Sequence, residues 1–158
     1  MENIDDLLKR GRIKKAPYSK EMYEKEFNIG EKDLESAKES YKIENYKWAT
    51  IQAYYAIFHA VRSLTFKAGY RESTHIALKQ LFKQLYINNE LLPSSVYDCL
   101  VNGMNLREIA DYKETYSQAG AENIVESVEN ALKEIKKLLN SAEKVTNKKS
   151  WKNMDMRL

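Results

Sequence analysis

The sequence predicts an all-α protein, an antiparallel up-and-down bundle of about five helices. Three observations carry this. The 158 residues include only two prolines and five glycines, too few for the many turns of an all-β domain. Apolar residues recur at alternating steps of three and four along most of the chain, the period of one helix face. A composition of 43% apolar and 31% charged residues is that of a globular chain and not a disordered one. The length suits a single domain that buries its own core without cross-links.

The elements follow in order. Asn3 is placed to cap a short helix through Ile4, Leu7 and Leu8. A basic run follows at Lys9, Arg10, Arg12, Lys14 and Lys15, and Ala16-Pro17 is a break because the residue before proline avoids helical geometry. Ser19 is the expected cap of the first long helix, whose stripe is Tyr23, Phe27, Gly30, Leu34, Ala37 and Tyr41. Gly30 costs that helix about 1 kcal/mol of propensity; close approach of a neighbouring helix would explain it. Ile43-Glu44-Asn45 holds the turn.

Residues 46–68 are the most apolar segment, with Trp48, Ile51, Tyr54, Tyr55, Ile57, Phe58, Val61 and Leu64 interleaved with alanines 49, 53, 56 and 60. Apolar residues cover nearly the whole circumference, which makes this the central helix, contacted on several sides. Gly69 fits a C-terminal stop. Ser73 or Thr74 caps a third helix carrying Ile76, Leu78, Leu81, Phe82 and Leu85. Pro93-Ser94-Ser95 opens a fourth, with Val96, Cys99, Leu100, Gly103, Leu106 and Ala110, ending between Tyr112 and Ser117. The last helix keeps its period from Ala121 to Ala142, and Glu129–Lys133 adds an i,i+4 pair. The expected organisation is a basic extension over 1–18, a bundle over 19–143 and a basic flexible tail over 144–158.

Charge narrows the class of partners. The net charge is +3, but residues 1–20 hold six bases against three acids and residues 144–158 five against one, while the middle is net −4. Basic ends suit phosphate contact; solvated, fraying termini are the plainer reading. A lone cysteine, Cys99, excludes an intramolecular disulfide and reads as a small buried hydrophobe. It points to a reducing, cytoplasmic setting. No apolar run reaches membrane-spanning length. The chain has no Gly-rich phosphate loop, CxxC, HExxH or GxSxG, and two histidines cannot build a multi-histidine metal site. Neither metal nor cofactor is expected.

Three groups bear chemistry. His59 and Arg62 lie on one face of the central helix. A guanidinium in so apolar a helix needs a carboxylate or a phosphate, so Arg62 reads as a structural ion pair or as an anion-binding group in a groove. His59 is a packed, hydrogen-bonded histidine or an assistant to that site. Arg107 and Asp111 are four apart on the fourth helix, Arg first, the weaker order for a helix salt bridge. Arg107 is either a planar fork for phosphate, oriented by Asp111 or with Asp111 as base, or half of a structural ion pair. His75 opens the third helix, where amides favour anions, and is an ordinary first-turn residue or a site member. Tyr54-Tyr55 read as core, with base stacking the alternative.

The ordered set Ala53-Tyr54-Tyr55-Ala56-Ile57-Phe58-His59-Ala60-Val61-Arg62, Gly69, His75 and Arg107-Glu108-Ile109-Ala110-Asp111-Tyr112 resembles the HEPN domain, over residues 19–142. The resemblance is to its small stand-alone archaeal and bacterial members. It implies a helix bundle of four or five helices, commonly a homodimer. It also implies pairing with a minimal nucleotidyltransferase in a toxin–antitoxin module, with action on or binding to RNA or a nucleotide. Catalytic members are metal-independent RNases with an Arg followed four to six residues on by a His. Arg107 matches that Arg, but Asp111 and Tyr112 stand where the His would fall, and Asp cannot supply an imidazole that exchanges protons near neutral pH. RNase activity would then draw on Arg107, Asp111 and His75 as catalytic groups, with Arg62, His59 and Arg107 holding phosphate. Tyr112 takes the position of the tyrosine that the partner modifies in some members. The alternative is a non-catalytic interaction or scaffold protein in which Arg107–Asp111 is structural.

Overall fold

The computed structural model describes residues 2–141. Six helices form the bundle: α1 (Ile4–Lys9), α2 (Lys20–Lys42), α3 (Tyr46–Lys67), α4 (His75–Phe82), α5 (Ser94–Tyr112) and α6 (Gln118–Leu139). Polar caps begin most of them. Asn3 and Asp6 form a capping box on α1, and Ser19, Asn45, Thr74 and Ser117 each accept from the amide three residues on. Each cap satisfies a helix donor that would otherwise have no partner.

Helix α3 is the axis. It packs most extensively against α2 and also contacts α4, α5 and α6. Ala49, Ala53, Ala56 and Ala60 are all fully buried, and the small side chains let neighbouring helices approach. The closest approach is at Gly30 of α2. A Cβ there would sit 2.8 Å from the Ala56 carbonyl oxygen and 3.3 Å from the Ala60 amide nitrogen. The missing side chain is thus the space into which α3 packs. At the far end, Lys67 of α3 donates to the Leu139 carbonyl at 2.9 Å and the Ser141 carbonyl at 3.1 Å, satisfying the last acceptors of α6.

The structure departs from the sequence reading in four places. The N-terminal segment is not a loose extension: Ile4, Leu7 and Ile13 are buried in the core, and Tyr18 stacks on Phe66 with ring centroids 4.0 Å apart. Within the basic run, β1 (Ile13–Lys15) pairs antiparallel with β2 (Tyr70–Glu72), Ile13 opposite Glu72; three-residue strands are too short to show a period. Helix α4 widens into a π-helical turn over Lys83–Ile87, held where Tyr86 buries its ring and donates to the Leu64 carbonyl at 2.6 Å. Finally, Glu129 makes an ion pair across the bundle with Lys38 of α2 at 2.6 Å that the sequence reading did not expect; the Lys38 hydrogen bond lowers the Glu129 carboxyl pKa most, and the i,i+4 neighbour Lys133 lowers it further. The expected tail, residues 144–158, lies outside the described residues.

Gly30→Ala is expected to destabilise the protein by about 1–3 kcal/mol through overpacking against backbone, outweighing the helix-propensity gain of about 1 kcal/mol. Gly103→Ala, whose Cβ would meet only side chains, the nearest Tyr54 at 3.4 Å, should cost less. Urea denaturation midpoints compare the two; a higher midpoint for Gly30→Ala would mean that the helices can separate freely.

Candidate functional site

Along α3 between Trp48 and Phe66, the positions that are not buried are Trp48, Gln52, Tyr55, His59 and Arg62. Their spacing of four, three, four, three is one helical ridge. Every site residue chosen from the sequence falls on this ridge or beside it, contributed by α3, α4 and α5.

The ridge has two chemically distinct stretches. Toward the C-terminal end of α3, carboxylates surround the bases. His59 Nδ1 lies 2.6 Å from Glu26 and its Nε2 3.7 Å from Asp33, both on α2. Arg62 Nε lies 3.0 Å from Glu72 on β2 and Nη1 3.9 Å from Glu26. The Arg62–Glu72 contact is an ion pair by distance, but neither Arg62 Nε nor Glu72 Oε1 has an aligned hydrogen-bond partner. The Glu72 side chain is only 5% exposed, and burial pushes its carboxyl above the usual range, against the pull of Arg62. Burial raises Asp33 too, opposed by His59. A phosphate at Arg62 or His59 would meet these acids, so the phosphate-binding role read for the two residues has opposing charge against it.

The other stretch is aromatic and holds Arg107. Its guanidinium lies 5.9, 5.6 and 5.8 Å from the ring centres of Tyr54, Tyr55 and Tyr112. It donates to the Tyr55 hydroxyl at 3.1 Å. Asp111 approaches to 3.8 Å, beyond hydrogen-bond range, and the two side chains are 23% and 37% exposed. Such a part-exposed pair contributes at most about 1 kcal/mol. Arg107 Nε is enclosed without an acceptor. Of five guanidinium N–H groups, one therefore has a protein acceptor among the described residues.

His75 joins the same stretch. Its Nδ1 is 2.8 Å from the Tyr54 hydroxyl, and its ring packs 4.5 Å from that of Phe58. Burial lowers its pKa below the ordinary imidazole value, and the positive charges of Arg107 and Arg62 lower it further, which favours the neutral ring. Tyr112, which is 71% exposed, borders Arg107 on the open side.

The sequence offers Tyr54 and Tyr55 as core aromatics, with base stacking as the alternative. Tyr54 is indeed 1% exposed, yet its hydroxyl meets His75 and its ring meets the Arg107 guanidinium. The carboxylates Glu26, Asp33 and Glu72 carried no signal in the sequence, because α2 and β2 bring them in from a distance. Cys99 is buried and its thiol is pushed up to about 12 by that burial, which keeps it protonated. A groove of about 1030 Å³ between α5 and α6, lined by Val96, Cys99, Ala131 and Asn140 among others, contains none of the site residues. Among the described residues no cluster of His, Cys, Asp and Glu is arranged to hold a metal ion, and no helix is long and apolar enough to cross a membrane.

The site sits on an all-helical bundle, and the HEPN domain model matches residues 23–150 of the chain. The chain belongs to the HEPN domain family. Among curated proteins it is similar to two from Methanocaldococcus jannaschii. "Putative toxin MJ0605" is 30% identical over 115 residues, 68% of this chain and 86% of that protein. "Putative toxin MJ0142" is 27% identical over 106 residues, 67% of this chain and 71% of that protein.

Because Arg107 is one cause of the lowered His75 pKa, Arg107→Ala should move that pKa up toward 6.5. An NMR titration of the imidazole reads this directly; an unchanged or lower value would separate the two residues electrostatically. The linkage sign is fixed: folding favours the neutral ring, so this contribution to stability is complete above pH 6.5 and declines as pH falls below it.

Proposed function

We propose that this protein is a toxin-type HEPN protein whose Arg107 stretch binds the phosphate of RNA or of a nucleotide, and that it works with a minimal nucleotidyltransferase as its partner. The observation that carries the reading is the state of Arg107. Its guanidinium is flanked by three tyrosine rings, has one hydroxyl acceptor and a distant carboxylate, and is partly open to solvent. A guanidinium in a low-dielectric aromatic setting with unused donors is suited to a phosphate, which takes two parallel N–H bonds. Asp111 orients the fork, and His75 completes the phosphate side. The alternative, a scaffold with Arg107–Asp111 as a structural pair, is less well supported by a 3.8 Å separation between two part-exposed groups.

The similarity to two M. jannaschii proteins named as toxins supports the toxin-type reading. A homodimer would bring two such stretches together. The exposed Trp48, Ile109, Tyr112 and Tyr116 are apolar surface available to that contact or to the partner. Tyr112 is the residue we assign to modification by the partner: its hydroxyl is accessible, and a bulky nucleotidyl group there would cover Arg107.

The first test is binding and turnover of single-stranded RNA by purified protein. Arg107→Ala is expected to abolish both while leaving the helical signal and melting temperature nearly unchanged, since the pair it breaks is weak. Full activity in that variant would remove Arg107 from the mechanism; a large fall in melting temperature without any functional loss would favour the scaffold. The second test incubates the protein with a minimal nucleotidyltransferase and ATP. One nucleotidyl mass should be gained by wild type and not by Tyr112→Phe; equal labelling of both would place the modification elsewhere.

A further inference from the structure

Tyr54 is 1% exposed, and burying a hydroxyl is costly unless its hydrogen finds an acceptor. Among the described residues its hydroxyl has one hydrogen-bond partner, His75 Nδ1 at 2.8 Å. Two arrangements satisfy that distance. If His75 carried its proton on Nδ1, the ring would donate to Tyr54 and the Tyr54 hydrogen would be left in the core with nothing to accept it. If Tyr54 donates, Nδ1 accepts, and the neutral ring's proton is on Nε2.

Only the second arrangement leaves no buried hydrogen unpaired. We infer that Tyr54 is a positioning residue which locks His75 in the Nε2–H tautomer, so that His75 offers a proton donor to a phosphate oxygen and no base at that nitrogen. The inference rests on the Arg107 reading for its ligand, but not for the tautomer itself. Burial holds the Tyr54 phenol well above its usual pKa, which keeps the donor protonated. Phe58 packs against the imidazole, and Thr74 caps the turn from which it projects, so the ring is held in place. Nε2 has no hydrogen-bond partner among the described residues, on a residue exposed overall.

The consequence is chemical. Abstraction of a proton from a ribose 2′-hydroxyl needs a nitrogen lone pair facing substrate, and here the lone pair faces Tyr54. His75 and Arg107 together then form a donor pair for phosphate, and any proton acceptor for RNA cleavage must come from another group or from a second copy of the chain.

The test uses the full chain at a pH where the ring is neutral. Nitrogen-15 NMR of His75 should show Nδ1 as the unprotonated nitrogen and Nε2 as the N–H. In Tyr54→Phe, which removes only the hydroxyl, the two signals should move toward each other as the tautomers mix. An Nδ1–H ring in wild type, or identical spectra for the two proteins, overturns the inference. Titration with inorganic phosphate supplies the second arm. His75→Gln, whose amide nitrogen stands near the place of Nε2, should bind within about twofold of wild type, whereas His75→Ala should weaken binding on the order of fivefold, the loss of one hydrogen bond. Equal weakening by both overturns the donor role. Failure of wild type to bind phosphate at all would overturn the ligand assignment and the Arg107 reading together, while the tautomer result alone would leave Arg107 standing.

Discussion

Everything in this molecule depends on the near-complete burial of α3. A helix enclosed by four neighbours must be apolar or small on almost every face, and the bundle closes because alanines and Gly30 remove the bulk that would hold α2 and α3 apart. The same enclosure leaves one ridge where side chains are not buried, at positions 48, 52, 55, 59 and 62. Polar chemistry on the central helix has no other place to go. The site is therefore a by-product of the packing: where α3 is left open, its tyrosine, histidine and arginine meet groups from α2, β2, α4 and α5.

Electrostatics divides that ridge. Carboxylates from α2 and β2 contact His59 and pair with Arg62, and the Arg62–Glu72 pair ties the short ribbon to the bundle. Nothing comparable reaches Arg107, which is surrounded by aromatic faces. An aromatic ring attracts a guanidinium without competing for its N–H donors, so the charge is held in place while its hydrogen-bonding capacity stays available. A carboxylate at hydrogen-bond distance would have used that capacity. The separation between Arg107 and Asp111 is thus the geometric difference between a receptive cation and a satisfied one.

Placement also shapes the role of His75. Partial burial, and after it two guanidinium groups, disfavour a charged ring, while a buried phenol claims one of its nitrogens. The imidazole comes from α4, and its Nδ1 meets a hydroxyl carried by α3. Such a ring reaches the Arg107 stretch already oriented, with little rotational freedom to lose on binding.

The sequence by itself determined the helical class, the cap at Ser19, a cap at Ser73 or Thr74 and the central place of residues 46–68, because periodicity and capping are local and repeat every turn; the structure chose Thr74 and showed which backbone Gly30 admits. It also marked Arg107, Asp111, His75, His59 and Arg62 as the polar residues to explain. It could not reveal the β1–β2 ribbon, the π-helical turn or the packed N-terminal segment, each set by contacts between residues far apart in the chain. Nor could it say which arginine was neutralised. Arg62 and Arg107 both lie among apolar residues, and what separates them is whether a distant acid arrives: Glu72 does, carried in by a three-residue strand, and no acid takes the equivalent place beside Arg107. Pairing across such distances depends on how the helices stack, and only the tertiary structure decided it.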